Sequence, residues 1–342
     1  METDSNTVRV CLDAMGGDFA PRRIVEGAIA ASRAYGDRIS IHLVGDETAI
    51  RRTFEELGVS ADAFDVVHAP ESVGMGEKAA RAVRQKRNSS LAVAAKMMQN
   101  GEADALVSAG NTGAVVSTAL IGLGRVPGVL RPAIATVIPN KSGRCVVIDV
   151  GATADCKPEY LAQFAVMGSI YAETTLGVPN PRVGLLNIGE EPGKGNELSR
   201  AAEAAIGEMP VHFVGNVEGR DIMRGTADVV VCDGFVGNVV LKFAESLVET
   251  LAHMVRDELK HDLLGKLGAG LARPAVRRVF SRLDYAEYGG APLLGVRGGC
   301  IICHGSSSVR AIQNAIRVAA EFVEFDLIGK IVDRLEKGQA HG

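Results

Sequence analysis

Seven apolar, mostly β-branched runs in this chain each stop at a small polar cluster, and those clusters hold most of the side chains suited to chemistry. The first cluster is Asp13-Ala-Met-Gly-Gly-Asp18. Gly16 and Gly17 let a backbone approach a ligand closely, and Asp13 and Asp18 can orient donors or a leaving group. The same stretch also reads as a plain strand-to-helix turn. Ser108-Ala-Gly-Asn-Thr-Gly113 leads from an apolar run into a helical pattern. Free N–H groups at a helix start, with Ser108, Gly110, Asn111 and Thr112 beside them, make an anion cradle. The competing reading is N-capping by Asn111 or Thr112. The stretch Asn187–Asn196 combines glycines, two amides and Lys194, a mobile positive charge suited to phosphate. Its Glu190 and Glu191 read as loop charges or as catalytic groups. Asp233-Gly-Phe-Val-Gly-Asn238 ends another strand and starts a long helix, with Asn238 capping it or lining a site. His304-Gly-Ser-Ser-Ser308 repeats the arrangement, and a histidine there suits general acid–base work, orientation of phosphate or a structural role. Together these groups can hold an anion and an acyl group, and they form no metal cage.

Several chemistries fail on spacing. No Walker lysine follows Ser108–Gly113, which argues against a nucleoside triphosphate loop. The first cluster is not GxGxxG, and no acidic residue ends the second strand candidate, 39–44, which disfavours a dinucleotide site. Cys300-Ile-Ile-Cys303-His304 has the c-type haem spacing. It reads instead as a buried strand with the two cysteines on opposite faces. Cys156 has no histidine beside it in sequence to activate it as an acyl carrier.

The elements that must position these clusters alternate. Strand candidates are 8–12, 39–44, 65–68, 104–107, 133–138, 145–149, 182–187, 211–214, 228–232 and 299–303. Helical patterns occupy 22–35, 47–58, 88–100, 112–123, 158–176, 196–208, 237–260 and 307–337. This alternation predicts a three-layer α/β/α fold with a mostly parallel sheet, whose chemistry lies at the carboxyl ends of the strands. The expectation is one catalytic domain over residues 8–338, with no internal repeat.

Composition agrees. Of 342 residues, 47% are hydrophobic and 23% charged, enough for a large packed core. Aromatics are only 4%, tryptophan is absent and net charge is −4, so no base-stacking or basic surface for nucleic acid is expected. No apolar run is long enough to span a membrane, and the first ten residues lack a signal-peptide core. The six cysteines read as reduced, buried small hydrophobes, and the chain reads as cytoplasmic.

Residues 259–285 break the rhythm, with no strand and a mixed apolar and basic character. Leu264, Leu267 and Phe280 stand among the apolar positions, and Arg273, Arg277 and Arg278 among the basic ones. Gly268, Gly270 and Pro274 are expected to divide the segment into two short helices. It reads as a helical hairpin against the body or a second subunit, or as a basic amphipathic surface for a membrane or an acidic protein.

The clusters together resemble bacterial phosphate acyltransferases, the PlsX family. Leu12–Asp18 (LDAMGGD), Val107–Ala114 (VSAGNTGA), Asn187–Leu198 (NIGEEPGKGNEL), Phe213–Ile222 (FVGNVEGRDI), Cys232–Lys242 (CDGFVGNVVLK), Tyr288–Val296 (YGGAPLLGV) and His304–Ser307 (HGSS) follow in the family's order. The resemblance covers roughly residues 8–333. It implies a fold like the phosphotransacetylases and the isocitrate/isopropylmalate dehydrogenases. It implies a cytoplasmic homodimer, peripherally associated with the inner face of the membrane. The implied reaction moves a long-chain acyl group from acyl carrier protein to inorganic phosphate. The acyl phosphate then passes to an acylphosphate:glycerol-3-phosphate acyltransferase in phospholipid synthesis, and no cofactor is implied. His304, Lys194 and Asp233 are the implied catalytic residues. Asp13, Gly16, Gly17, Asp18, Ser108, Gly110, Asn111, Thr112, Asn187, Asn196, Asn238 and Ser306 are the implied substrate ligands. Thr153 stands where the family has an amide, the segment Gly74–Lys86 departs from the commoner pattern, and Cys300 and Cys303 sit at positions that vary.

The chemistry expected is direct attack of phosphate on the thioester, without a covalent enzyme intermediate. The loops Ser108–Gly113 and Asn187–Asn196 are expected to form the phosphate side. Asp233–Asn238 and His304–Ser308 are expected to face them. The alternative is a short-chain phosphotransacetylase that uses acyl-CoA.

Overall fold

The computed structural model describes residues 7–260, 268, 270–276, 278–279 and 287–339. Eleven strands form a single sheet: β1 Val8–Asp13, β2 Ile39–Gly45, β3 Asp65–His68, β4 Ala105–Ser108, β5 Ala133–Asn140, β6 Gly143–Ile148, β7 Arg182–Leu186, β8 His212–Val217, β9 Val229–Val231, β10 Ala291–Leu294 and β11 Gly299–Ile302. The order across the sheet is β3-β2-β1-β4-β11-β10-β5-β6-β9-β7-β8. The runs are apolar on both sides because helices cover both faces. In β6, Val146 and Ile148 join one core cluster while Cys145 and Val147 join another. Cys300 and Cys303 likewise enter different clusters, as alternation requires. All six cysteines are free, and five are buried.

The helices are α1 Arg22–Tyr35, α2 Glu47–Leu57, α3 Ala79–Gln85, α4 Ser90–Gln99, α5 Thr112–Thr118, α6 Pro158–Thr175, α7 Glu197–Gly207, α8 Gly219–Arg224, α9 Gly234–Lys260, α10 Val309–Glu324 and α11 Leu327–Gln339. Four differences from the sequence reading stand out. β10 was not expected, because Pro292 inside a four-residue run reads as a turn. The short α3 and α8 were also not expected. The pattern at 307–337 is two helices: Asp326 takes a positive φ of 47° and its carboxylate accepts from Gly329 N–H, starting α11. The apolar face runs on through Phe322, Leu327, Ile331 and Leu335, which hid the break. Finally, residues 270–276 are helical through Pro274, and Gly268 and Gly270 are helical too.

The expectation of no internal repeat is also corrected. Apart from β3, the sheet is two matching sets of five: β2-β1-β4-β11-β10 faces β8-β7-β9-β6-β5 across the antiparallel pair β10·β5. In one half Leu12 pairs with Val107, and in the other Leu185 pairs with Val231. From that register the pattern GxADxxVxxGxxGxVV reads twice, at Gly101–Val116 and at Gly225–Val240. The halves interleave. The chain leaves the first after β4 and returns to it only for β10 and β11, so no single spacing reveals the duplication.

A twin clamp marks both halves. The backbone N–H and Nε of Arg9 donate to Asp104 Oδ2 at 2.8 and 3.1 Å, and Nη1 to the Gly101 carbonyl. The backbone N–H and Nε of Arg182 donate to Asp228 Oδ2 at 2.9 and 3.0 Å, and Nη2 to the Gly225 carbonyl. Gly101 and Gly225 hold φ of 72° and 76°, a turn that glycine makes without strain. Burial alone pushes the Asp228 carboxyl up, but hydrogen bonds from Arg182 outweigh it and hold the group below its ordinary value of 3.8. A depressed carboxyl stabilises the fold above the unfolded pKa, and that stability is lost as pH falls through the folded one. Asp228→Asn is therefore expected to lower Tm at neutral pH and to flatten the fall in Tm below about pH 4. Calorimetry at stepped pH checks this, and an unchanged pH profile would refute it.

Candidate active site

On the sheet face that carries α5 and α9, a cavity of about 390 Å³ lies over the central strands. Thr112 and Gly113, at the start of α5, line one side, and Asn238 and Lys242, on the first turns of α9, line the other. His304 enters from the end of β11, and Tyr288 closes one edge. The cavity lies between the two halves, where their corresponding helices begin. His304 is oriented by its own loop. Ser306 N–H points at Nδ1 from 3.2 Å and Ser306 Oγ lies 2.8 Å from it. Nδ1 thus accepts, and in the neutral ring Nε2 carries the proton as a donor. Lys242 forms an ion pair with Glu245 at 2.8 Å.

Behind this wall lies a buried polar pair. Ser108 Oγ donates to Asp13 Oδ2 at 2.6 Å and accepts from Gly110 N–H at 3.0 Å. Both side chains are buried, Asp13 at 2% exposure and Ser108 at 0%. Burial pushes the Asp13 carboxyl up, against hydrogen bonds from Ser108, Ser90 and the amides of Met15 and Gly16. A Cβ on Gly16 would sit 2.5 Å from Asp13 and 2.7 Å from Gly110 N, so glycine is required for this approach. Gly17 and Asp18 pack on the last loop, where Asp18 N–H donates to the Gly305 carbonyl at 2.8 Å. Asp13 and Ser108 thus shape the cavity from beneath rather than lining it.

Several candidates hold the backbone. Asn111 caps α5 by accepting from Ala114 N–H, and its amide donates to the carbonyls of Met75 and Glu77. Asn196 caps α7, and Asp233 accepts from Phe235 and Val236 N–H at the start of α9. Asn187 closes its loop by donating to the Lys194 carbonyl and to Asn216. Thr153 donates its hydroxyl to the Pro132 carbonyl.

The expected pairing of loops is corrected. Ser108–Gly113 and Asn187–Asn196 do not line one common cavity. Asn187, Asn196 and Asp233 line a separate cavity of about 300 Å³ at the ends of β7 and β9. The duplicated halves place these two loops at opposite corners. Lys194 is exposed and lines neither cavity. A second correction concerns the end of the second strand. Asp46 does follow β2 directly, but it caps α2 by accepting from Ala49 N–H. Arg273 and Arg278 lie exposed on helical residues, while Leu264, Leu267, Arg277 and Phe280 fall outside the described residues.

Lys242, Tyr288 and Ser90 were missed in sequence. Lys242 lies one helical turn beyond Asn238, a spacing that shares a helix face and could have flagged it. Ser90 opens α4 and reads only as a helix start. Among the described residues no cluster of three or more His, Cys, Asp or Glu could hold a metal, and no helix is long and apolar enough to cross a membrane.

Comparison with known proteins fits this geometry. A family model described as "Fatty acid synthesis protein" matches residues 8–330. The chain is 53% identical over 329 residues to a phosphate acyltransferase of Heliobacterium modesticaldum, with 96% of this chain and 98% of that one covered. It is 52% identical over 337 residues to a phosphate acyltransferase of Pelotomaculum thermopropionicum, with 98% and 97% covered. A phosphotransacetylase from Streptococcus pyogenes shares the fold at TM-score 0.64 and 18% identity, covering 94% and 95%. A branched-chain phosphotransacylase from Enterococcus faecalis does so at TM-score 0.58 and 15% identity, covering 93% and 99%. Matched by the family model along its whole strand system and half identical to these relatives, the chain belongs to the phosphate acyltransferase family and is an acyltransferase.

Proposed function

We propose that the enzyme transfers a long-chain fatty acyl group from acyl carrier protein to inorganic phosphate, releasing acyl phosphate and free carrier protein for phosphatidic acid and phospholipid synthesis. The observation that carries this reading is the cleft between the halves. There Thr112, Gly113, Lys242 and His304 surround a space suited to an anion. A phosphate oxygen attacks the thioester carbonyl, the carbonyl oxygen takes the charge, and the C–S bond then breaks to release the thiolate. The phosphate dianion supplies its own lone pair, so the protein needs to position it and stabilise the oxyanion. His304 Nε2–H is the donor assigned to the oxyanion, and Lys242, on exchanging Glu245 for the substrate, balances the phosphate. Protein nucleophiles are poorly placed. Burial pushes the Cys156 thiol up to about 12, and Ser108 is buried on Asp13.

The test is acyl phosphate formation from palmitoyl-acyl carrier protein, compared with acetyl-CoA. A preference for the first is expected. A preference for acetyl-CoA supports the short-chain phosphotransacetylase reading. Stoichiometric transfer of acyl to the protein without phosphate would overturn direct attack.

The enzyme is further proposed to be a homodimer in the cytoplasm, resting on the inner face of the membrane. Along α9 an apolar ridge at helical spacing stands exposed, from Phe235 (67%) through Val239 and Phe243 (68%) to Leu247, Leu251 and Met254 (61%). A ridge this long favours cover by a second copy of the same helix. The basic segment 259–285 suits anionic lipid or an acidic carrier protein. Light scattering at one chain mass would rule out the dimer, and failure to sediment with anionic vesicles would rule out the membrane contact.

A further inference from the structure

The two halves of the sheet end in corresponding corners with opposite chemistry. The strand register equates Asp13 with Leu186 and Ser108 with Cys232. The repeated pattern then equates Asn111 with Phe235 and Thr112 with Val236, while Gly110 and Gly113 keep their glycine counterparts, Gly234 and Gly237. Four polar residues in one half thus stand where the other has four apolar ones. The polar corner backs the cleft. The apolar corner opens into the second cavity, of about 300 Å³, walled by Leu161, Leu185, Leu186, Leu198 and Val236. Its mouth carries Ile188, which is 82% exposed.

Most of the polar atoms around this cavity are already committed. Asn187 accepts from Ile188 N–H and donates to the Lys194 carbonyl, Asn196 caps α7, and Asp233 caps α9. What remains on offer is hydrocarbon wall, which favours an apolar occupant. The cavity and the cleft share one element, α9. Val236 faces the cavity from the first turn of α9, while Asn238 and Leu241 face the cleft from the next. The start of α9 is therefore common to both spaces, with Val236 and Asn238 on different sides of the helix.

We propose that this corner receives the hydrocarbon chain of the acyl donor, and that Leu186, Leu198 and Val236 set the chain length accepted. The proposal rests on the acyl transfer reading above. After duplication, one corner has kept groups for the polar reactant and the other has become a wall for the apolar one.

Two experiments test it. Leu198→Phe and Val236→Phe fill the cavity from different elements. The ratio of kcat/KM for palmitoyl- over hexanoyl-acyl carrier protein should fall roughly tenfold or more in each, since a methylene kept off the wall loses about fourfold. An unchanged ratio in a folded variant overturns the proposal. The second experiment uses the unaltered enzyme, with an acyl carrier protein thioester whose chain ends in a diazirine. Photolabel should appear, by mass spectrometry, in the peptides that carry Leu161 or Leu186–Ser199. Label confined to other peptides overturns it as well. If the unaltered enzyme makes no acyl phosphate from any acyl donor, the functional reading itself has failed. Activity with an unchanged ratio or misplaced label rejects only the assignment of this cavity.

Discussion

His304→Ala is expected to lower kcat/KM for acyl phosphate formation by roughly 100- to 1000-fold, the usual loss when one pre-positioned oxyanion donor is removed. The argument is geometric. His304 stands at the end of β11 in the cleft, and the Ser306 amide fixes Nδ1 as an acceptor. The proton of the neutral ring therefore sits on Nε2. A donor that acts on the developing oxyanion affects the transition state more than the bound substrate. The loss should appear mainly in kcat, with the KM for phosphate changed little. His304→Gln keeps a side-chain N–H and should recover part of the rate. Ser306→Ala should give a smaller loss, because the Ser306 backbone N–H still points at Nδ1. A His304→Ala enzyme within threefold of the parent would remove histidine from the mechanism. A loss confined to the phosphate KM would reassign it to binding.

Gly237→Ala is the second large effect, acting through the seat of α9. A Cβ at this position would overlap the Asp149 carbonyl oxygen and lie 2.9 Å from Cys232 Sγ. Neither neighbour can yield easily. Asp149 is wholly buried and accepts N–H groups from Ile134, Gly151, Ala152 and Thr153. The helix must therefore shift, carrying Asn238 and Lys242 away from the cleft. Overpacking against a fixed wall typically destabilises by about 1–3 kcal/mol. A fall in Tm of several degrees is expected, with activity lost at temperatures where the variant is still folded. The counterpart glycine is the control. At Gly113 the added Cβ meets Ala79 Cβ at 3.0 Å and Asn111 Oδ1 at 3.5 Å, both side-chain atoms, so Gly113→Ala should melt closer to the parent. Equal melting and activity for Gly237→Ala and the parent would show that α9 is not seated as described.

The two variants mark where sequence reasoning succeeds and where it stops. The helix over 22–35 and the strand over 65–68 were legible to the residue; Pro21 and Gly36 bound the first, and Pro70 closely follows the second. The place of His304 at a strand end was legible because it follows a β-branched run and precedes a Gly/Ser loop. Asn111, Asn196 and Asp233 looked the same whether they met a ligand or capped a helix. Asx residues at strand ends do both, and only their hydrogen bonds separate the roles. Lys194 looked better placed than Lys242, since a glycine-rich loop advertises function and a mid-helix lysine does not.

Residue order alone thus determined that the chain makes a mostly parallel α/β sheet with polar chemistry at its strand ends, and which family it belongs to. Those properties are local, carried by β-branched runs, glycine turns and contiguous motifs. Folding in three dimensions decided which strand ends meet. Two interleaved halves bring residues 112 and 304 into one cleft with residue 238, and send residues 187 and 196 to another corner. That outcome depends on register and on antiparallel pairing at β10·β5, a contact between segments far apart in the chain. Its strand β10 carries a proline and is only four residues long. Such a segment has no local signal, and only packing between its neighbours makes it a strand.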